Sequence, residues 1–131
     1  QFAFDARESS NYLPHTYPEN CVVYTGTHDN DTTRGWYHAV GKYARDFAKE
    51  YMCKPRLDED SLAEDFICLA MGSVADLCVI PMQDYLGLGS EARINIPSTL
   101  GGNWVWRMKK GQFDEETAAE IYRVTKLYGR I

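Results

Sequence analysis

The sequence has no long apolar run: none of its apolar segments approaches the roughly 20 residues that a membrane-spanning helix requires. It also shows no basic segment followed by an apolar one, so no secretory signal is visible. Positive charge is scarce, since 14 Lys and Arg residues stand against 19 Asp and Glu residues, for a net charge of −5. Nucleic-acid binding requires the opposite balance. We therefore expect neither a membrane nor a nucleic acid as a partner of this protein.

Cysteines are few, and their spacing is not that of a metal site. Positions 21, 53, 68 and 78 form no CxxC pair and no Cys/His cluster. Most of these thiols lie in apolar segments, and we interpret all four as small buried hydrophobic residues. Free thiols are typical of a reducing compartment, so we predict a cytoplasmic protein without disulfides.

The composition is that of a globular domain, with 44% apolar and 25% charged residues. A chain of 131 residues is long enough for one domain or for part of a larger one. The chain begins at Gln1 rather than at a methionine, and residues 1–4 already have the pattern of a strand. We therefore predict a piece of a longer protein.

Three segments have the apolar spacing of amphipathic helices. They are residues 33–52, 59–71 and 115–128. The residues that can cap their beginnings are, in chain order, Asp31 or Thr32, Asp58, and Asp114. Pro55 prevents the first helix from continuing, and Gly72 can end the second. The helical period of the first segment places Trp36 in the core.

Two segments, Cys21–Tyr24 and Leu77–Ile80, are continuous apolar runs of strand length. Continuous runs are typical of parallel strands that are covered on both faces. About 50 residues with two predicted helices separate them, which is enough for a crossover connection. Together with a third strand at residues 1–4, this order of elements predicts an α/β fold.

An unbroken polar run, Thr25–Thr33, follows the first of these two strands. In parallel α/β folds the ligand site lies at the carboxyl ends of the strands, so we interpret this run as a candidate site. His28 and Asp29 can hydrogen-bond a polyhydroxylated or phosphorylated ligand, and together with Asp31 they could instead ligate a metal. The alternative is a helix N-terminus at which these polar residues only cap.

Two later segments add polar and aromatic side chains. Gln83 and Asp84 follow the second strand, although Asp84 can also simply cap a helical turn. A glycine-rich segment, residues 82–112, carries Asn103 and Trp104. A tryptophan ring covers the C–H face of a pyranose and an amide bonds its hydroxyls, so this pair suits sugar binding. The alternative is that the tryptophan covers the sheet or anchors the loop.

Four segments together resemble the signatures of a known family, the amylomaltases or 4-α-glucanotransferases of glycoside hydrolase family 77. They are Val22–Thr33 followed by Gly35 and Trp36, Ile80–Asp84 followed by Leu86–Gly89, Arg93–Pro97, and Gly102–Arg107. The similarity runs essentially from one end of the chain to the other. Tyr85 and Ser98 depart from the residues common in the family, but neither position is a carboxylate, so the departures concern loop geometry.

The resemblance implies the fold of that family, a (β/α)8 barrel. Because a barrel alone needs about 250 residues, residues 1–131 would be the C-terminal segment of the catalytic barrel, with about the last three strands and their helices. Uncovered sheet edges would remain, as would an apolar face that includes Cys21, Val23, Cys78 and Ile80. We expect the isolated segment to self-associate through this surface.

The resemblance also implies an activity, the transfer of α-1,4-glucan segments between maltooligosaccharides by a retaining double displacement. Of the family's three acids, only the one that supports the transition state matches this sequence, at Asp29. His28 matches the histidine that bonds the sugar in subsite −1. The nucleophile and the acid/base match nothing here, so we expect the segment alone to be inactive. The resemblance implies no metal and no organic cofactor.

The remaining candidate substrate-binding residues are Asn30, Gln83, Asn103 and Trp104. Two alternatives to the transferase stay open from the sequence. One is a non-catalytic glucan-binding module. The other is a metal-dependent hydrolase that uses His28, Asp29 and Asp31.

Overall fold

A two-stranded parallel sheet joins the two halves of the chain. In the computed structural model, which describes residues 1–5 and 11–131, strand β1 (Val22–Tyr24) pairs with strand β2 (Leu77–Val79). Val23 lies opposite Cys78 in the register. Three helices occupy the connection between the strands. The predicted parallel pairing and the α/β class are therefore confirmed.

Six α-helices accompany the two strands in the part of the chain that the structure describes. They are α1 (Phe2–Asp5), α2 (Thr33–Ala39), α3 (Lys42–Tyr51), α4 (Leu62–Met71), α5 (Met82–Tyr85) and α6 (Glu115–Leu127). Short 3₁₀ turns cover Pro14–Thr16 and Ser90–Ala92. None of the helices in the described ranges is long and apolar enough to cross a bilayer.

The prediction of one continuous helix over residues 33–52 is wrong, because the chain leaves the helical conformation at Val40 and Gly41. Both residues adopt extended backbone angles, and glycine is a poor helix former. The apolar period nevertheless survives the break, since Trp36 of α2 and Ala44 and Ala48 of α3 are buried in one cluster. The pattern predicted the buried face correctly and missed the interruption.

The capping predictions have mixed outcomes. Thr32 caps α2, since its side chain accepts a hydrogen bond from the Gly35 N–H at 3.0 Å. Asp114 caps α6 by accepting from the Thr117 N–H at 2.8 Å, and this bond to the backbone holds the pKa of Asp114 below its usual range. Asp58 does not cap α4: it accepts from the Asp60 N–H in a tight turn, and the helix begins at Leu62.

The predicted strand at residues 1–4 is wrong: these residues form the short helix α1. The Phe4 N–H donates to the carbonyl of Gln1 at 2.9 Å. The neighbouring residues Ala3 and Phe4 are both buried, and both belong to the same core cluster. Successive side chains of a strand point to opposite faces, so they would not share one cluster. Burial of both side chains therefore favours the helical turn.

An aromatic cluster around Phe4 holds α1, α2, α3 and α4 together. The Phe4 ring, 1% exposed, lies 5.4–6.1 Å from the rings of four partners. These are Trp36, Phe47, Tyr51 and Phe66. Tilted and edge-to-face contacts of this kind add to the free energy gained from burial.

The two faces of the sheet differ sharply. Val23 is buried against Ala70 and Ala75, with Cys21, Cys78 and Ile80 packed around them. The opposite face is apolar and exposed: Val22, Tyr24, Leu77 and Val79 are between 39% and 54% exposed.

Three sequence expectations about apolar surfaces are therefore wrong. Within residues 1–5 and 11–131, the strands are covered on one face only. The face that contains Cys21, Val23, Cys78 and Ile80 is the covered one, because the period of two places it toward the helices. Cys53 is exposed, whereas the other three cysteines are partly buried.

We predict that Phe4→Ala lowers the free energy of unfolding of the chain by about 3–5 kcal/mol, because it removes a buried ring and leaves a cavity among four aromatic partners. The measurement is a urea titration followed by fluorescence. Phe2→Ala, in the same helix at a ring that is 51% exposed, is the matched control and should cost less than about 1 kcal/mol. Equal losses in the two variants would contradict the central role of Phe4.

Candidate functional site

The polar segments that follow β1 and β2 meet at one edge of the sheet. A cavity of about 40 Å³ lies there, with room for water molecules or hydroxyl groups. Its lining residues come from three parts of the chain and include His28, Asn30, Gln83, Asp84 and Arg93. The carboxyl ends of the two parallel strands thus bring these segments together.

The buried carboxylate of Asp84 connects the elements at this edge. Its Oδ2 accepts a hydrogen bond from the Thr25 hydroxyl at 2.5 Å, and its Oδ1 accepts from the Thr33 N–H at 2.8 Å. Asp84 is 3% exposed, so both bonds lie away from solvent. The Asp84 side chain, on α5, is thereby bonded to both ends of the Thr25–Thr33 run: to Thr25 after β1 and to Thr33 at the start of α2.

Asn30 shapes the turn that carries His28 and Asp29. Its side-chain oxygen accepts from the Thr27 N–H at 2.8 Å and from the Thr27 hydroxyl at 2.9 Å. Its own N–H donates to the Thr27 carbonyl at 3.1 Å. Asn30 also lines the cavity, so the turn places this residue next to any bound ligand.

His28 and Asp29 lie side by side and remain accessible. The His28 Nε2 is 3.4 Å from the Asp29 Oδ1, and the two side chains are 54% and 49% exposed. Asn95 donates to the same carboxylate oxygen at 2.6 Å. Both contacts use Oδ1, so this half-exposed carboxylate can still accept hydrogen bonds from a ligand.

The structure brings Trp104 to this pair, 76 positions along the chain from His28. The two rings are 5.1 Å apart at their centroids and are tilted by 38°. The backbone of Trp104 has a φ of +64°, a conformation that costs a non-glycine residue about 1–3 kcal/mol. The Trp104 N–H donates to the Ile94 carbonyl at 2.7 Å, and the indole is exposed beside the histidine.

The side chains of Gln83 and Asn103 make hydrogen bonds to nearby parts of the chain. Gln83 is buried, lines the cavity and donates from Nε2 to the Ala92 carbonyl at 3.2 Å. Asn103 accepts from the Ile96 N–H at 2.9 Å and donates to the Thr99 hydroxyl at 3.0 Å. Gln83 therefore belongs to the cavity, whereas the Asn103 contacts stabilise the loop that leads to Trp104.

Arg93 and Asn95 are not among the site residues that the sequence predicted. Asn95 contacts the Asp29 side chain, and an Arg93 Nη donates to the Asp29 carbonyl at 2.7 Å. No local pattern joins positions 64 and 66 residues apart. The available signal was that both lie in the segment Arg93–Pro97, which carries part of the family resemblance.

The metal interpretation of His28, Asp29 and Asp31 lacks the required geometry. Over residues 1–5 and 11–131, no three His, Cys, Asp or Glu side chains are arranged to hold a metal ion. Asp31 is used within the protein: it accepts from the Thr32 N–H at 2.8 Å and from the Ser90 hydroxyl at 2.7 Å. The arrangement at the edge of the sheet instead offers carboxylate, imidazole and indole groups to a polar ligand.

Comparison with known proteins shows the family to which the chain belongs. A family model described as 4-alpha-glucanotransferase matches residues 1–113. The 4-alpha-glucanotransferase of Clostridium butyricum is 50% identical over 131 residues, which cover 99% of this chain and 26% of that protein. The 4-alpha-glucanotransferase of Thermus thermophilus is 41% identical and matches 100% of this chain and 27% of its own length.

A solved structure gives the same result. The amylomaltase from Streptococcus agalactiae, in complex with acarbose, is 34% identical and superimposes with a TM-score of 0.85. The match covers 95% of this chain and 25% of that one. The chain thus spans about a quarter of the length of these relatives. By the family model and by identity over its whole length, it belongs to the 4-alpha-glucanotransferases of glycoside hydrolase family 77.

Proposed function

We propose that the protein containing this chain is a 4-α-glucanotransferase that transfers segments of α-1,4-glucans between maltooligosaccharides. The observation that carries the proposal is the pairing of His28 with Asp29 at the carboxyl end of a parallel strand, in a chain of this family. Ligands bind at this end of the strands in barrel enzymes. The relatives named above carry the same activity in their names.

Residues 1–131 are, in this proposal, the C-terminal segment of the catalytic (β/α)8 barrel. Helices cover one face of the two parallel strands, as they cover the outside of a barrel. The exposed apolar face then points to the barrel interior, where bulky side chains from the other strands would fill the space. The segment supplies the two strands β1 and β2 rather than three, because residues 2–5 form a helix.

Asp29 is the proposed acid that supports the transition state. In a retaining double displacement, a nucleophile outside this chain displaces the leaving glucan while an acid/base, also outside it, protonates the departing oxygen. The 4-hydroxyl of the acceptor glucan then attacks the glycosyl-enzyme and gives its proton to that base. Hydrogen bonds from the sugar hydroxyls to Asp29 strengthen as positive charge develops on the ring, so they stabilise the transition state more than the ground state.

The neighbouring groups supply binding. His28 donates a hydrogen bond to the sugar in subsite −1, and the exposed indole of Trp104 beside it covers the C–H face of a glucose ring. Asn30 and Gln83 contribute hydrogen-bonding groups from the cavity, and Asn103 supports binding by stabilising the loop that carries Trp104. The proposed partners are therefore α-1,4-glucans and maltooligosaccharides.

The proposed compartment is the cytoplasm. All four cysteines are free thiols, and Cys53 is exposed, which suits a reducing environment.

In the full-length protein, we predict that Asp29→Asn lowers kcat by several decades while maltodextrin binding weakens much less. The substitution keeps the shape but removes the charge that stabilises the transition state. Steady-state disproportionation of maltotriose measures kcat, and calorimetry measures binding. Asp46→Asn is the control, because Asp46 is also 49% exposed but lies on α3.

An Asp29→Asn enzyme whose kcat stays within about tenfold of the wild type would refute the role of Asp29.

His28→Ala should lower kcat by about two decades, since it removes one hydrogen-bond donor.

The isolated chain of 131 residues should not disproportionate maltotriose, because the nucleophile and the acid/base act as a unit and lie outside it. Glucose release is the assay, with the full-length protein as the positive control. The same chain can still bind maltodextrin weakly through His28 and Trp104, in which case it behaves as a glucan-binding module. Glucose release above buffer would mean that the acids are assigned incorrectly.

The isolated chain should also self-associate at micromolar concentration, because the sheet has open edges and an exposed apolar face. Light scattering measures the mass. Leu77→Glu places a charge on the exposed face and should shift the chain toward monomer. Leu127→Glu on α6, at a leucine that is 64% exposed, is the control and should leave the mass unchanged. A wild-type chain that stays monomeric and melts cooperatively would contradict this prediction.

A further inference from the structure

The guanidinium of Arg93 links the turn that carries Asp29 to the segment that carries Asn95. Its Nη2 donates to the Asp29 carbonyl at 2.7 Å, and its Nε donates to the Asn95 carbonyl at 2.9 Å. Its Nη1 lies 3.9 Å from the Asp31 Oδ2. Three atoms of one planar group thus contact three residues, two of them within the turn after β1.

The segment on which Arg93 lies is itself anchored. The preceding residue, Ala92, is 1% exposed, and its carbonyl accepts from the buried Gln83. Ser90 donates to the Asp31 carboxylate at 2.7 Å. Arg93 therefore extends from a fixed part of the fold to the turn, and its side chain is only 25% exposed.

We propose that Arg93 is a positioning residue for the transition-state carboxylate: it holds the backbone of Asp29 while Asn95 holds the Asp29 Oδ1. This inference rests on the proposed function of Asp29. Arg93 lines the cavity, but each of its three nitrogens contacts a group of the protein: Nε and Nη2 donate to two carbonyls, and Nη1 lies near the Asp31 carboxylate. Its action on the reaction is therefore indirect, through the placement of Asp29.

The chemistry of the side chain fits this role. A guanidinium has several donors fixed in a plane, so it can bond two carbonyls at once, whereas a lysine ammonium is a single point of charge. Its positive charge also faces the Asp31 carboxylate, whose Oδ2 lies 3.9 Å from Nη1. A displacement of about 1 Å at a reacting group can lower the rate about 100-fold, so loosening this contact has a large expected effect.

The test compares Arg93→Ala with Arg130→Ala in the full-length protein. Arg130 is the matched control, because it also donates to backbone carbonyls, those of Met71, Ser73 and Ala75 at 2.8–2.9 Å, and has no part in the site. Arg93→Ala should lower kcat for maltotriose about 100-fold with KM nearly unchanged. Arg130→Ala should lower the melting temperature and leave kcat near that of the wild type.

Three further measurements separate positioning from simple structural support. Added guanidinium ion should restore part of the kcat of Arg93→Ala but have no such effect on Arg130→Ala. Arg93→Lys should remain about tenfold below the wild type, since charge alone cannot bond both carbonyls. Hydrogen exchange of residues 27–33 should accelerate in Arg93→Ala and not in Arg130→Ala.

Three results would overturn the inference. The first is an unchanged kcat in Arg93→Ala. The second is a KM that rises by the same factor as kcat falls, which would indicate direct substrate binding. The third is unchanged hydrogen exchange over residues 27–33. A wild-type protein that fails to transfer glucan would refute the proposed function instead. In that case the exchange comparison still decides whether Arg93 holds the turn.

Discussion

The arrangement of the site depends on one buried carboxylate. Asp84 lies in the short helix α5, which follows β2, and accepts hydrogen bonds from Thr25, which follows β1, and from Thr33 at the start of α2. A buried carboxylate without such donors would be strongly destabilising, so the fold is constrained to keep all three residues together. Because Thr25 and Thr33 delimit the polar run, this constraint fixes both ends of the segment that carries His28 and Asp29.

The aromatic cluster stabilises the helices, whereas the sheet carries the site at the carboxyl ends of its strands. Phe4 and its four ring partners bury the contacts among the first four helices, far along the chain from the loop with Trp104. The exposed face of the sheet contributes no such burial within these residues. A segment whose helical side is packed and whose strand face is open is what one sector of a closed barrel requires, since the strand face is completed by the other sectors.

The sequence predicted most reliably what depends on local pattern. The apolar runs at β1 and β2, the cap at Asp114 and the position of the polar run after a strand all follow from neighbours within a few residues. The break at Gly41 was missed because the apolar stripe continues across it, and α1 was missed because a four-residue apolar segment fits a strand equally well. Contacts of Asp29 with Arg93 and Asn95 join residues more than 60 positions apart, and no periodicity reports them. The sequence therefore predicted the candidate residue Asp29, and the tertiary structure was needed to find its contacts with Arg93 and Asn95.

If Asp29 supports the transition state as proposed, its exposure is a second reason to expect the isolated chain to be inactive. The carboxylate is about half exposed here, and in water an electrostatic contact is worth only a small fraction of its value in a site that excludes solvent. In the proposed barrel, the remaining strands bring the nucleophile and the acid/base and also cover this edge of the sheet. Hydrogen bonds to Asp29 then form in a less polar environment, where the charge that develops on the sugar ring is stabilised most strongly. The contacts of Arg93 and Asn95 matter for the same reason: a carboxylate already held in place does not have to reorganise when that charge appears.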